Sequence, residues 1–146
     1  MTTLYEKDFC AWSFEQAEYL KKGHIHELDI ENLAEEIESL GKSERSAIDS
    51  LIRVWLIHML KKEFTPEKQG NSRSWEMSIF NSSLSLNKRL KQCPSLKKYA
   101  EECVLEEYED AKQMAALESE VRIKDDRFPR KCPWTIDEIL DTKQGE

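Results

Sequence analysis

The chain has 146 residues, of which 35% are charged, and its formal net charge is −7. This length fits one domain with its own hydrophobic core, and the acidic balance argues against general binding to nucleic acid or anionic membranes. No run approaches the roughly 18 apolar residues that a membrane-spanning helix needs. The early charges are unlike a signal peptide, so we expect a cytoplasmic protein.

The first two predicted helices flank a short turn. Residues 8–22 form the first, which Gly23 ends, and Asp29 caps a much longer one. No proline occurs from residue 29 to residue 62. Within that range, apolar residues recur at steps of three, four or seven: Ile30, Leu33, Ile37, Leu40, Ala47, Leu51, Trp55 and His58. Because this stripe continues in phase after Gly41, we predict one helix over about residues 30–63, weakened at Gly41 by about 1 kcal/mol relative to alanine.

The second half of the chain predicts two further long helices and a short one. They cover residues 75–91, residues 94 to about 117, and a short C-terminal stretch that Thr135 opens with a capping box. A polar loop over residues 64–74 and a charged connecting segment over residues 119–131 separate them. The fold class is therefore all-α, a single-domain helical bundle over residues 1–146. The predicted core is Trp12, Leu33, Ile37, Leu40, Leu51, Trp55, Ile79, Leu86, Leu90, Cys103 and Ala111.

Several separate blocks together resemble one known family. They are the run from Asp29 to Ala47, His58-Met-Leu-Lys61, Ser72-Arg-Ser-Trp75, and Phe128-Pro129 with Cys132-Pro-Trp134. In this order they resemble the bacterial domain-of-unknown-function family 29 over about residues 5–141. The resemblance implies an all-helical bundle and carries over no activity and no catalytic residue. The chain departs from the family at residues 62–66, where many relatives have an aromatic residue and a Tyr-Gln-Pro turn.

Charge is strongly segregated along the chain. Residues 27–49 hold eight acids and two bases, residues 53–98 hold ten bases and three acids, and residues 101–120 hold eight acids and one base. The simplest interpretation is that oppositely charged helices lie side by side in an antiparallel bundle. Alternatively, the blocks form a dipolar surface that attracts a charged partner. The bases that could then contact nucleic acid or phosphate are Arg73, Lys88, Arg89, Lys91, Lys97 and Lys98.

Two groups of residues are candidates for chemistry or metal binding. His58 lies on the apolar stripe and could act as an acid or base with Glu35 or Glu36, although a histidine there is more often structural. His24 and His26 lie in a turn beside carboxylates and could bind zinc or nickel. No His-Glu-x-x-His or Glu-x-x-His motif occurs. The cysteines, which are Cys10, Cys93, Cys103 and Cys132, form no Cys-x-x-Cys pair and are expected to be reduced. We expect no cofactor.

A third candidate is a helix start. Arg73 and Trp75 open the helix after the loop, where a guanidinium and free amides could hold a phosphate.

These features favour a non-enzymatic interaction or adaptor module that binds another protein or itself as a homodimer. Segregated charge, four tryptophans and the absence of catalytic motifs support it. One alternative is an enzyme or small-ligand binder with a pocket around His58 and a carboxylate. Another is nucleic-acid binding through the basic residues 53–98, which the net charge disfavours. No membrane partner is expected.

Overall fold

The computed structural model describes residues 2–65, 72–121 and 127–142, and within these ranges the chain forms helices and no strand. The helices are α1 (Leu4–Lys7), α2 (Phe9–Lys22), α3 (Ile30–Phe64), α4 (Ser72–Gln92), α5 (Lys97–Glu118) and α6 (Ile136–Leu140). The all-α prediction is confirmed. The predicted loop over 64–74 and the charged segment over 119–131 lie partly outside the described residues.

The predicted helices agree with the observed ones to within three residues at most ends. Asp8 caps α2 by accepting from the amide of Ala11, and Gly23 ends it in the left-handed conformation at φ 71°. The sequence reading missed α1, a single turn that Thr3 and Glu6 hold in a reciprocal capping box. Short 3₁₀ turns follow at Ile25–Glu27 and Pro94–Leu96.

Helix α3 runs without interruption through Gly41, as the phase of its stripe predicted. A glycine inside a helix costs about 1 kcal/mol relative to alanine, which the regular helix on either side outweighs. A Cβ built on Gly41 would meet nothing within 4 Å, so close packing does not require the glycine.

The chain divides into two compact units, Met1–Ser43 and Glu44–Glu146. The second unit contains the larger core. Its fully buried side chains from α3 are Ile48, Ile52, Trp55, Leu56 and Leu60, which pack with residues of α4, α5 and α6. Helix α5 contributes small residues to this core, namely Ala100, Ala111 and Ala115. Small side chains allow close helix packing.

Polar contacts between helices fix their directions in the second unit. Asp49 contacts Cys103, Arg53 contacts Glu107 and Lys61 contacts Glu118, so residues farther along α3 contact residues farther along α5. Helix α5 therefore runs parallel to the second half of α3. Ion pairs from Lys62 to Glu76 and from Arg89 to Glu44 show that α4 runs antiparallel to it. In chain order, the second half of α3, α4 and α5 therefore alternate in direction, and oppositely charged residues face each other between them.

Helix α6 closes one side of this core. Thr135 accepts from the amide of Glu138, as the predicted cap requires, and Ile136 and Ile139 are buried. The hydroxyl of Ser83 donates to the carbonyl of Ile139 at 2.7 Å. The ring of Trp134 packs edge-to-face on Trp55, with 5.3 Å between centroids. The C-terminal segment is thus held by both apolar and polar contacts.

The core prediction was wrong at two positions of the first unit. Ile37 and Leu40 are 66% and 70% exposed. Leu33 and Leu51 are partly buried, and the other predicted core residues are buried. In the second unit, the buried face of α3 is also shifted by about one residue from the predicted stripe. Ile48 and Ile52 are fully buried there, each one position after the predicted Ala47 and Leu51. The reason is that α3 packs against both α4 and α5 there, so its buried face is wider than a single stripe.

The four tryptophans act mainly as core anchors. Trp12, Trp55 and Trp75 are buried, and Trp134 is partly buried against the core. All four cysteines are free. None of the helices in the described part of the chain is both long enough and apolar enough to cross a membrane.

The two described glycines predict opposite effects of alanine. Gly41→Ala should raise the free energy of unfolding by about 1 kcal/mol, because the site is helical and open. Gly23→Ala should lower it by about 1 kcal/mol, because φ 71° disfavours residues with a Cβ. Urea unfolding followed by circular dichroism measures both. Equal signs for the two variants would contradict either the helical position of Gly41 or the left-handed helix end at Gly23.

Trp55→Ala should lower the free energy of unfolding by about 3–5 kcal/mol, because it leaves a cavity in the core of the second unit. Trp55 is 1% exposed and contacts Trp134. The matched control is Leu105→Ala on α5, an exposed position where we expect a change within about 0.5 kcal/mol. If both variants have the same melting temperature as the wild type, the described core is contradicted.

Candidate functional site

The first unit is built around the junction of α2 and α3. The indole Nε1 of Trp12 donates to Oδ2 of Asp29 at 3.0 Å, and Oε1 of Gln16 accepts from the amide of Asp29 at 2.7 Å. Asp29 also accepts from the side chain of Asn32, which lowers the pKa of the Asp29 carboxyl and keeps it ionised. These contacts orient the start of α3 against α2.

Helix α1 packs on the same junction. The ring of Tyr5 packs edge-to-face on Trp12, with 4.7 Å between centroids. The hydroxyl of Tyr5 donates to Oε1 of Glu36, and this bond raises the pKa of Tyr5 to about 12. One oxygen of Glu36 is thus already engaged.

An apolar groove of about 370 Å³ lies between α2 and the first part of α3. Its lining residues recur at helical spacing on both helices and are Phe9, Trp12, Ser13, Gln16, Ala17, Leu20, Leu33, Glu36, Ile37 and Leu40. Glu36 is the single charged member of this set. The exposed Ile37 and Leu40 line this groove, so in the first unit the predicted apolar stripe of α3 forms one wall of a groove and is not a buried core face. We call this surface the α2–α3 groove.

The first unit buries very little for its length. Among its described residues, only Trp12 and Gln16 are fully buried. Large apolar side chains remain exposed instead, namely Leu4, Phe9, Phe14, Leu20, Ile25, Ile30, Ile37 and Leu40. Phe9, Leu20, Ile37 and Leu40 of this set line the α2–α3 groove, and contiguous exposed apolar patches are typical of binding surfaces.

A polar cluster lies between α3 and α5 of the second unit. Oδ1 of Asp49 accepts from the hydroxyl of Tyr99 at 2.6 Å and from the thiol of Cys103 at 3.1 Å. Arg53 donates to both carboxylate oxygens of Glu107, from Nε at 2.7 Å and from Nη2 at 3.2 Å. Sequence reasoning missed this cluster because its residues come from different helices.

This cluster is the set of described residues that could hold a metal ion. Ligand atoms of Asp49, Cys103 and Glu107 lie within 4.8 Å of one another. Burial and the bond to Asp49 raise the pKa of Cys103 well above its usual value, so the thiol stays protonated and is a poor nucleophile. A metal would have to remove that proton and displace Arg53 from Glu107. We therefore interpret the cluster as a hydrogen-bonded network that joins α3 to α5.

Two of the three predicted acid–base residues, His58 and Glu36, are engaged in hydrogen bonds within their own unit. Nδ1 of His58 is 2.7 Å from the carbonyl oxygen of Val54, one turn earlier in α3. That contact places a proton on Nδ1 and fixes the tautomer. Glu36 accepts from Tyr5, and Glu35 is exposed. Of these three residues, Glu36 alone lines the groove.

The other predicted site residues lie on the surface or in the core. His24 and His26 are exposed, and the ring of His24 lies 6.4 Å from that of Tyr19. Neither belongs to the cluster of potential metal ligands. Arg73 is exposed near the start of α4, whereas Trp75 is buried with Nζ of Lys61 5.2 Å from its ring centroid. Trp75 is thus a core residue whose ring face is occupied.

A second concavity lies where α4, the following turn and α6 meet. Its volume is about 610 Å³, and it is lined by residues that include Lys88, Lys91 and Lys97. Lys97 pairs with Asp137 at 2.9 Å. Lysines in the last turn of a helix also interact favourably with its carbonyl end, which accounts for Lys91 without any ligand.

The tyrosines provide a test of these hydrogen bonds. Bonds to carboxylates raise the pKa of Tyr5 and of Tyr99 to about 12. The pKa values of Tyr19 and Tyr108 are raised as well. Because the folded state keeps these protons while the unfolded chain loses them near pH 10, stability should be intact below pH 10 and fall between pH 10 and 12.

Absorbance at 295 nm during an alkaline titration measures this directly. The folded protein should form tyrosinate at higher pH than the same protein in urea. Tyr99→Phe should remove one of the late-titrating groups, and Phe14→Leu, an exposed aromatic position, should not. Superimposed folded and unfolded curves would show that the described hydroxyl bonds are absent.

Comparison with known proteins assigns the chain to a family. Residues 4–144 match the family described as "Domain of unknown function DUF29". No curated protein and no solved structure matches the chain. The helices and the residue blocks from Asp29 to Trp134 all fall inside the matched range. Because the match covers nearly the whole sequence, the protein belongs to the DUF29 family of domains of unknown function.

Proposed function

We propose that this protein is a non-enzymatic interaction module that binds another protein, or a second copy of itself, through the α2–α3 groove. The observation that carries this proposal is the open apolar lining of the groove, in which Ile37 and Leu40 are largely exposed. Covering a side chain of this size contributes about 1.5–3 kcal/mol. A groove with several of them can supply a large part of a stable association.

The shape of the groove fits a helix as the bound element. Phe9, Gln16 and Leu20 on α2 and Leu33, Ile37 and Leu40 on α3 each follow helical spacing. The groove thus runs along about three turns of α2, or roughly 16 Å, and about two turns of α3, or roughly 10 Å. An amphipathic helix laid into such a groove is a common mode of recognition.

The remaining polar groups support binding rather than catalysis. His58 and Asp49 are held by hydrogen bonds, and the raised pKa of Cys103 keeps its thiol neutral. Many bases of residues 53–98 are used inside the second unit, where Arg53, Lys61, Lys62, Arg89 and Lys97 form ion pairs. This reduces the positive charge available to nucleic acid. A cytoplasmic location in a bacterium is part of the proposal and is consistent with four free thiols.

Leu40→Gln tests the proposal, with Leu105→Gln as the matched control. The two leucines are 70% and 71% exposed, both lie on helices, and glutamine is a good helix former that leaves the net charge unchanged. Both variants should keep the wild-type circular dichroism and melting temperature. Leu40→Gln should weaken partner binding about tenfold or more, because it removes one apolar contact.

The measurement is affinity capture of the tagged protein from lysate of its source cells, followed by quantitative mass spectrometry that also counts untagged copies of the chain. A protein retained by wild type and by Leu105→Gln but depleted by Leu40→Gln is the expected result. If every retained protein is held equally by both variants, the groove is not the binding surface.

A further inference from the structure

Helix α4 presents an apolar stripe that its own unit does not cover. Its core face carries Trp75, Ile79, Leu86 and Leu90, which are buried. Met77, Phe80 and Leu84 recur at steps of three and four on another face and are 60%, 48% and 46% exposed. We call these three residues the α4 stripe. It is an amphipathic surface of the kind that fits a groove between two helices.

The α4 stripe is flanked by positive charge. Arg73, Lys88 and Lys91 continue its spacing along the helix and are exposed. Helix α4 as a whole holds four bases, Arg73, Lys88, Arg89 and Lys91, against the single acid Glu76, a net charge of +3. An acidic apolar groove is the complement of such a surface.

The first unit carries the opposite charge. Residues 1–43 hold ten acids and four bases, so their net charge is −6. Glu31, Glu35 and Glu38 are exposed on the segment of α3 that lines the groove, and they form no ion pair with any described residue. Placing one groove against another groove would bring −6 against −6, which repulsion disfavours.

We propose that the α2–α3 groove of one copy of this chain binds the α4 stripe of a second copy. The inference rests on the proposed function, since it identifies the occupant of the same groove. In the proposed assembly the two copies exchange these contacts across a two-fold axis, which gives a closed dimer. The stripe supplies apolar side chains to the groove, and the flanking bases approach the acidic first part of α3.

Two double variants separate the halves of this contact. Ile37→Gln with Leu40→Gln removes the groove half, and Phe80→Gln with Leu84→Gln removes the stripe half, each without changing the net charge. Light scattering coupled to size exclusion, and analytical ultracentrifugation from about 1 to about 200 µM, give the mass and the dimer dissociation constant. The wild type and Leu105→Gln should be dimers in this range, and each double variant should dissociate at least about a hundredfold more readily.

The decisive experiment mixes the two double variants. The stripe variant keeps an intact groove and the groove variant keeps an intact stripe, so a one-to-one mixture should form a heterodimer through one surviving contact. If the wild type dimerises through groove against groove or stripe against stripe, the variant that keeps that surface forms homodimers, no heterodimer appears in the mixture, and the inference is overturned. Dimers that both double variants retain unchanged overturn it as well.

A crosslinking experiment makes the test independent of any disrupting variant. A photoreactive phenylalanine analogue at position 40, in a mixture of ¹⁴N- and ¹⁵N-labelled protein, should give mixed-isotope crosslinks to residues 77–88. Mixed-isotope crosslinks confined to the first unit would contradict the proposal.

The outcomes separate the two proposals. A wild type that stays monomeric to about 200 µM overturns the dimer. If a different protein is then captured by wild type and lost on Leu40→Gln, the groove is still a binding surface and only its occupant was wrong. If no captured protein depends on Leu40, the proposed function fails as well.

Discussion

Helix α3 supplies apolar side chains to both units, and its two parts differ in how many helices cover them. In the second unit, α4, α5 and α6 pack around α3, and Ile48, Ile52 and Leu56 are fully buried. Within the first unit, α2 and the single turn of α1 accompany α3, and Ile37 and Leu40 remain exposed. A helix needs neighbours around its whole apolar arc, so two short helices leave part of that arc open. The α2–α3 groove is the direct consequence.

The polar residues between α3 and α5 are also held by their neighbours. Asp49 accepts from Tyr99 and Cys103, and Arg53 binds Glu107 through two hydrogen bonds. These groups are partly or fully buried, where an unsatisfied donor or acceptor would cost about 1–3 kcal/mol. They join α3 to α5 in a fixed register, because each pair matches at a different point along the two helices. Hydrogen bonds that are already satisfied hold structure well, and they leave little capacity for proton transfer or metal binding.

Helix positions, capping residues and most of the core could be predicted from the sequence because they depend on local chemistry. Asp8, Gly23 and Thr135 act where their intrinsic preferences place them, and α3 continues through Gly41 because its stripe keeps phase. The groove could not be predicted in the same way. The stripe of α3 shows which residues are apolar, whereas their burial depends on how many other helices pack against them. The sequence does carry one signal of it: Ile37 and Leu40 lie in an apolar stripe within a strongly acidic segment.

Charge segregation has an internal explanation for two of its three blocks. The acids of α5 and the bases of α3 face each other, as Arg53 with Glu107 and Lys61 with Glu118 show. The acids of the first unit have no such explanation, since the described ion pairs there join Glu18 to Lys21 and Lys22 on an exposed surface. Exposed pairs of this kind contribute about 0–1 kcal/mol. A net charge of −6 on residues 1–43 is a cost of self-repulsion to that unit alone. It becomes favourable when a basic surface approaches, and the exposed bases of α4 place such a surface beside an apolar stripe.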